Sequence, residues 1–197
     1  MDTLVTNFIN VACCQLEILR RNIEAIGRED GDEVTGVGND EACRKLNRYI
    51  EHSKAIINFE NEIRDIFGTS ILYQCLANCA IICLAAYHIS RMDDYVPAEL
   101  IGTALYLGGM AYQLFIYCWH GNELALHSER VALAAYFGNW WKFNERYKST
   151  LRIFIIRSHR PLILKVGGLM TLSLETFTSI LRMSYSLFTV LQSSTAV

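Results

Sequence analysis

Charged side chains are missing from two long runs of this chain. Ile71–Ile89, ILYQCLANCAIICLAAYHI, and Leu100–Trp119, LIGTALYLGGMAYQLFIYCW, hold no Asp, Glu, Lys or Arg. Each has about the twenty apolar residues that a 30 Å hydrocarbon core requires. Proline is scarce, occurring only at Pro97 and Pro161, so the chain has few obligatory helix breaks. No glycine-rich phosphate loop and no paired Cys-x-x-Cys is present, which removes the usual nucleotide and zinc-ribbon signatures. Net charge is only −2, so no global field argues for nucleic acid. The seven cysteines fall mostly inside apolar runs, where they act as small hydrophobes; a disulfide framework is not expected. Met1 is followed at once by Asp2, so no signal peptide is expected either.

What is present is strong segregation. The 197 residues are 52% apolar with a mean hydropathy of +0.20. A third run, Val166–Leu191, is long enough to cross a bilayer, yet it carries Glu175, Arg182 and eight Ser and Thr side chains: Thr171, Ser173, Thr176, Thr178, Ser179, Ser184, Ser186 and Thr189. A charge at membrane depth costs about 2.5–3.5 kcal/mol on insertion scales, and such groups usually face a bundle interior or water. This run therefore reads as the wall of a polar path and not as an anchor.

The basic residues give an orientation. Eight Lys and Arg lie between Arg20 and Arg64, and eight more between Arg130 and Lys165. The Ser90–Ala98 turn, with Asp93, Asp94 and Pro97, holds one, Arg91, and none follows Leu191. Both basic stretches read as cytoplasmic, with the turn and the C-terminus outside. The expected fold is all-α: three membrane spans at 71–89, 100–119 and 166–192, with long cytoplasmic helical extensions at 27–70 and 120–165.

Thr3–Leu19 leaves two readings open, the inner end of a fourth membrane helix within residues 1–26 or an amphipathic surface helix. Gly27–Glu41, rich in Gly and acids, reads as a flexible loop. Glu41–Phe67 reads as an amphipathic helix running on into the first span. Asn122–Phe137 continues the second span, and Trp140–Arg157 follows as another helix, ended by Pro161. Their apolar faces lack lipid length and call for partner helices.

Candidate chemical sites are few. Cys75, Cys79 and Cys83 stack on one helix face and would suit a soft metal; small residues at a helix–helix contact suit the spacing better. His120, Glu123 and His127 share a face but lack the i, i+4 His pair of a zinc protease helix, and read as polar residues at the inner membrane boundary. Ser128, Glu129 and His127 have no nucleophile elbow around them, and no enzymatic role or cofactor is expected. Glu175 and Arg182 lie about 10.5 Å apart along a helix axis, too far for a direct pair, so each needs water or a partner on another helix.

An ordered set of residues remains: Tyr117-Cys118-Trp119, Gly121-Asn122-Glu123, Trp140 or Trp141, Lys148, Leu151, Arg157-Ser158, Pro161 and Ser184-Tyr185-Ser186-Leu187-Phe188-Thr189-Val190-Leu191. This set resembles the C-terminal half of insect odorant receptors, and Gln15-Leu16-Glu17-Ile18-Leu19 resembles the inner end of that family's fourth helix. The resemblance implies that the three spans are helices five, six and seven of a seven-helix receptor with a cytoplasmic N-terminus and an extracellular C-terminus. It implies a cation channel gated by small volatile organic ligands, in the plasma membrane, assembled as a hetero-tetramer with an odorant co-receptor and held by cytoplasmic anchor helices. On this resemblance Ser184, Phe188 and Leu191, at i, i+4 and i+7, line the pore. Thr103, Tyr106, Gly109 and Met110 contribute to an odorant pocket. The family's proteins are roughly twice as long, so a partial chain is expected. A gustatory-type receptor subunit and a non-conducting assembly fragment are the alternatives.

Overall fold

The computed structural model describes residues 2–29, 36–90, 97–168 and 170–194. Among the described residues the chain is all-α apart from one short ribbon. Helix α1 spans Asp2–Glu29, α2 Gly36–Ser90 and α3 Pro97–Phe137; a single 3-10 turn, Trp140–Lys142, leads to α4 at Glu145–Ser158. Strands β1, Lys165–Val166, and β2, Met170–Thr171, pair antiparallel with Lys165 opposite Thr171, and α5, Leu174–Ser194, completes the chain. The 55 residues of α2 at 1.5 Å rise extend for roughly 80 Å, far beyond the ~30 Å hydrocarbon core. Among the described residues, Gly38–Ala85 and Ile101–Phe137 are long and apolar enough to cross a membrane.

Two compact units divide the chain: Met1–Ile63 with Glu123–Ile163, and Arg64–Asn122 with Leu164–Val197. The first unit has an apolar core. On α1 the buried positions are Val5, Ile9, Ala12, Leu16, Leu19, Ile23 and Ile26, alternating steps of four and three. That is the spacing of a coiled-coil seam, and it gives α1 one packed face from Val5 to Ile26. Ala42, Leu46 and Ile56 of α2, Leu124, Val131 and Ala135 of α3, and Tyr147, Leu151 and Phe154 of α4 are buried as well. Phe8 meets Phe59 edge to face at 6.0 Å, and Gln15 Oε1 lies 3.0 Å from His52 Nε2.

Three expectations need correction. The last helix does not begin at Val166: Lys165–Val166 and Met170–Thr171 pair as the β ribbon and α5 starts at Leu174. Gly167 and Gly168, at φ 59° and 70°, make the tight left-handed turn that an apolar reading of the run overlooks. The Gly27–Glu41 loop is shorter than expected, because α1 reaches Glu29 and α2 begins at Gly36; residues 30–35 lie outside the described residues. The helix expected over 140–157 is interrupted. Asn144 Oδ1 accepts from the Tyr147 amide at 2.9 Å and so caps a new helix, α4, as an N-cap asparagine does.

Candidate functional site

Helix α5 is held at its N-terminal end by a seat that only glycine permits. A Cβ on Gly121 of α3 would stand 2.5 Å from Leu172 O, and one on Gly167 would collide with the Leu72 side chain of α2. At Gly68 of α2 a Cβ would lie 3.6 Å from Gly167 N. The ribbon therefore rests backbone-close against both helices. Leu172 N donates to Leu164 O at 2.9 Å and closes it. Ser173 then starts α5, its Oγ accepting from the Thr176 amide at 3.2 Å. Glu175 sits in the first turn, where the helix dipole favours an anion.

Beyond this seat α5 has two faces. One packs inward: Phe177 meets Phe115 at 5.5 Å, and Ser184 is 3% exposed. Ser184 Oγ donates to Ile180 O at 2.9 Å and lies 3.3 Å from Cys79 Sγ of α2. Ser184 was expected to line a pore. In the fold it is sealed in a helix–helix contact, because it stands on the side of α5 opposite Glu175, nine residues or 180° away. Phe188 and Leu191 belong to α5, but their side chains lie outside the described residues.

The other face carries Glu175, Thr178, Arg182, Ser186 and Thr189, all exposed. Their spacing of three and four makes one continuous polar stripe. Thr178 and Thr189 donate back to Glu175 O and Ser186 O, each at 2.8 Å, so their oxygen lone pairs point outward. Neither Glu175 nor Arg182 has an ion-pair partner among the described residues. Sequence reasoning named these residues as costly but missed the stripe, because it anchored its face on Ser184.

On α3, Thr103, Tyr106, Gly109 and Met110 follow one another at i, i+3, i+6 and i+7. Tyr106 and Gly109 are exposed and Thr103 and Met110 partly so. The face is open, and Gly109 has no atom within 4 Å of an added Cβ. Of the stacked cysteines, Cys75 and Cys83 are buried and Cys79 faces Ser184. Asn78 is 1% exposed and its Nδ2 has no acceptor among the described residues. Among the described residues no group of three His, Cys, Asp or Glu side chains is placed to hold a metal ion.

The first unit has its own electrostatic centre. Glu17 accepts from Arg20 at 2.6 and 2.9 Å and from Arg21 at 2.9 Å. These hydrogen bonds, that of Arg20 foremost, hold its carboxyl down at about 2 against an ordinary 4.5. His127 stands 3.9 Å from Glu17 and 3.8 Å from Glu123. Ser128 is structural: its Oγ donates to Ala125 O at 2.7 Å and accepts from the Leu162 amide at 2.9 Å. Burial pushes the Tyr147 hydroxyl up to about 12. A cavity of about 330 Å³ lies between Tyr136, Trp140, Leu151, Ile155 and Ile156, rimmed by Lys148 and Arg152. Ile153 and Ile156 of α4 are 68% and 71% exposed.

Comparison with known proteins now decides the family. The family model described as 7tm Odorant receptor matches residues 1–185. The chain belongs to the insect odorant receptor family. It is 34% identical to odorant receptor Or1 of Anopheles gambiae, over 98% of this chain and 51% of that one. It is 27% identical to odorant receptor Or2 of the same mosquito, over 92% and 48%. The fold matches the olfactory receptor OR5 of Machilis hrabei in complex with eugenol at a TM-score of 0.84, with 17% identity, covering 98% of this chain and 47% of that one. The chain thus spans about half the length of the relatives it matches. Odorant receptors are membrane chemoreceptors of olfaction, and the two apolar helices fit that class.

Proposed function

We propose that this chain forms the region of helices five to seven in a subunit of an odorant-gated cation channel of the plasma membrane. The observation that carries the reading is the α5 stripe. Five polar side chains, two of them charged and unpaired among the described residues, sit on the outward face of a helix that follows two apolar ones. Lipid opposes such a face; a water-filled path shared between subunits accommodates it. The pore-facing residues are then Glu175, Thr178, Arg182, Ser186 and Thr189, in place of Ser184, with Phe188 and Leu191 retained toward the outer end. Thr103, Tyr106, Gly109 and Met110 form one wall of a volatile-ligand pocket whose other walls come from elsewhere in the receptor. Apolar lining with few polar groups suits such ligands.

The exposed apolar side chains of α4, Ile153 and Ile156, of the end of α3, Phe137, and of the 3-10 turn, Trp141, support assembly with co-receptor subunits on the cytoplasmic side. The segregation of Lys and Arg supports that side for residues 20–64 and 130–165, with the C-terminus outside.

The test is a current measurement. The receptor is expressed with a co-receptor subunit and exposed to a panel of volatile phenols, esters and alcohols that includes eugenol. Odour-evoked cation current is expected, and Arg182→Ala should change relative cation permeability. Confirmed surface expression with no current anywhere in the panel refutes the channel reading. Co-assembly without current favours the alternative of a non-conducting assembly fragment.

A further inference from the structure

Where α4 ends, a small cleft within the first unit gathers charge of one sign. Its volume is about 30 Å³, and its polar lining is Ser53, Ser128, Arg157, Ser158 and Arg160. Apolar side chains of α1, α2 and α3 complete the wall, and no carboxylate takes part. The Leu162 amide donates to Ser128 Oγ at 2.9 Å, and Ser128 gives its own proton to Ala125 O at 2.7 Å. Ser128 thus ties the segment after α4 to α3 and has no donor left. The other four polar side chains are unused. Among the described residues, Arg157, Arg160, Ser53 and Ser158 make no side-chain hydrogen bond or ion pair. Arg157 alone would suit the carbonyl end of α4. That does not account for a second arginine three residues on, or for two idle hydroxyls around the same cleft.

Size and charge select the occupant. A cleft of about 30 Å³ has room for a few water-sized groups. The oxygens of one oxyanion fit there, and an organic body does not. Guanidinium forks match phosphate oxygens in geometry, and the two serine hydroxyls can donate to the oxygens that remain. A phosphate monoester carries about −1.5 to −2 at neutral pH, close to the charge of two guanidinia. A phosphodiester carries a single charge and would leave one arginine unbalanced.

We infer that this cleft binds a phosphate monoester, supplied by an anionic lipid headgroup of the cytoplasmic leaflet or by free phosphate. Arg157 and Arg160 hold the oxygens, and Ser53 and Ser158 complete the shell. The lipid source rests on the membrane orientation proposed above. Ser128 lies nine residues after Trp119, the end of the uncharged run, or about 13.5 Å along α3. The headgroup layer occupies about 5–7 Å of that distance, and the remainder is within the reach of an arginine side chain.

Thermal unfolding of the receptor, assembled with its co-receptor in nanodiscs, tests the site. The discs hold phosphatidylcholine alone, or with added phosphatidic acid, a lipid monoester, or with phosphatidylglycerol, a diester. Inorganic phosphate is titrated into the first. Phosphatidic acid should raise the midpoint above phosphatidylglycerol, because a ligand of the folded state stabilises it. Arg157→Gln/Arg160→Gln should abolish that increment, and Arg152→Gln, on α4 but outside the cleft, should keep it. Arg157→Lys/Arg160→Lys retains the charge without the fork and should keep part of it, which tests the site even where the glutamine pair folds poorly. Each single Arg→Gln change should weaken apparent affinity about tenfold to a hundredfold, as for hydrogen bonds to a charged group. An increment from inorganic phosphate alone supports the site with free phosphate as its source; one seen only with phosphatidic acid supports the lipid. Equal effects of the two anionic lipids overturn the inference, as does an increment that survives in the glutamine pair, or none from any phosphate. The readout needs no current, so a receptor that does not conduct refutes the channel reading and leaves this result standing. Odour-evoked current without the increment refutes the site alone.

Discussion

Residues 36–63 of α2 bury Ala42, Leu46, Ile56 and Ile63, while residues 64–90 bury Ile71, Cys75, Asn78 and Cys83. The exposed sides are reversed as well. The first stretch shows Glu41, Arg48 and Glu51 to the outside, and the second shows Tyr73, Leu76 and Leu84. One unbroken helix thus changes rule part-way. In water the large apolar side chains go inward and the burial itself stabilises. In lipid the outside is as apolar as the inside, so association relies on small residues and polar contacts. The α3 helix shows the same reversal, from exposed Ile101 and Leu105 to buried Leu124 and Val131.

A pair of identical substitutions breaks this comparison most directly. Leu46 is 0% exposed and Leu105 is 72% exposed. Leu46→Ala should cost about 2–5 kcal/mol through lost transfer energy and a cavity, whereas Leu105→Ala should stay within about 0.5 kcal/mol. Thermal unfolding in detergent measures both. Equal losses would mean that the Leu105 face is covered by protein and not by lipid. The converse change, Leu105→Arg, should reduce membrane insertion at a cost of about 2.5–3.5 kcal/mol.

Two glycines of α3 sharpen the same contrast with opposite signs. Gly121→Ala places a Cβ 2.5 Å from Leu172 O, and the backbone of the ribbon must shift. The expected loss is about 1–3 kcal/mol, with displacement of the start of α5. Gly109→Ala meets nothing within 4 Å and removes a flexible residue from a helix. It should stabilise by about 0.5–1 kcal/mol. If both substitutions were neutral, the ribbon would not be seated on α3.

These pairs also show where the sequence was readable. The long helices were legible because apolar runs and amphipathic stripes joined without Pro or Gly breaks, as in Glu41–Phe67 running into Ile71–Ile89. The all-α class and the family followed from those runs and from ordered motifs such as Gly121-Asn122-Glu123. The ribbon was not legible: Val166–Leu172 is as apolar as a span, and only the adjacent Gly167 and Gly168 signalled a turn. The burial of Ser184 beside Cys79 was hidden for a different reason. Hydroxyls surround α5, so composition cannot say which of them faces α2. That depends on Cys79, more than a hundred residues earlier.

The smallest effect is electrostatic and belongs to the first unit alone. Glu17 is held at about 2 instead of 4.5 by Arg20 and then Arg21. A carboxyl lowered by folding binds its proton more weakly in the folded state than in the unfolded one. Its stabilisation is therefore complete above pH 4.5, declines as pH falls, and is gone below about 2. Glu17→Gln removes the titrating group, so the acid slope should flatten by at most about one proton between those limits. Fluorescence of Trp140 and Trp141 in a Trp119→Phe background confines the signal to this unit. Arg20 also bonds to Glu24, and His127 lies 3.9 Å from Glu17, so Glu24→Gln and His127→Gln serve as controls for their share. If the slope survives in Glu17→Gln and disappears in either control, the acid sensitivity belongs to that neighbour, and the Glu17 network is only a set of surface pairs of the kind that contribute little.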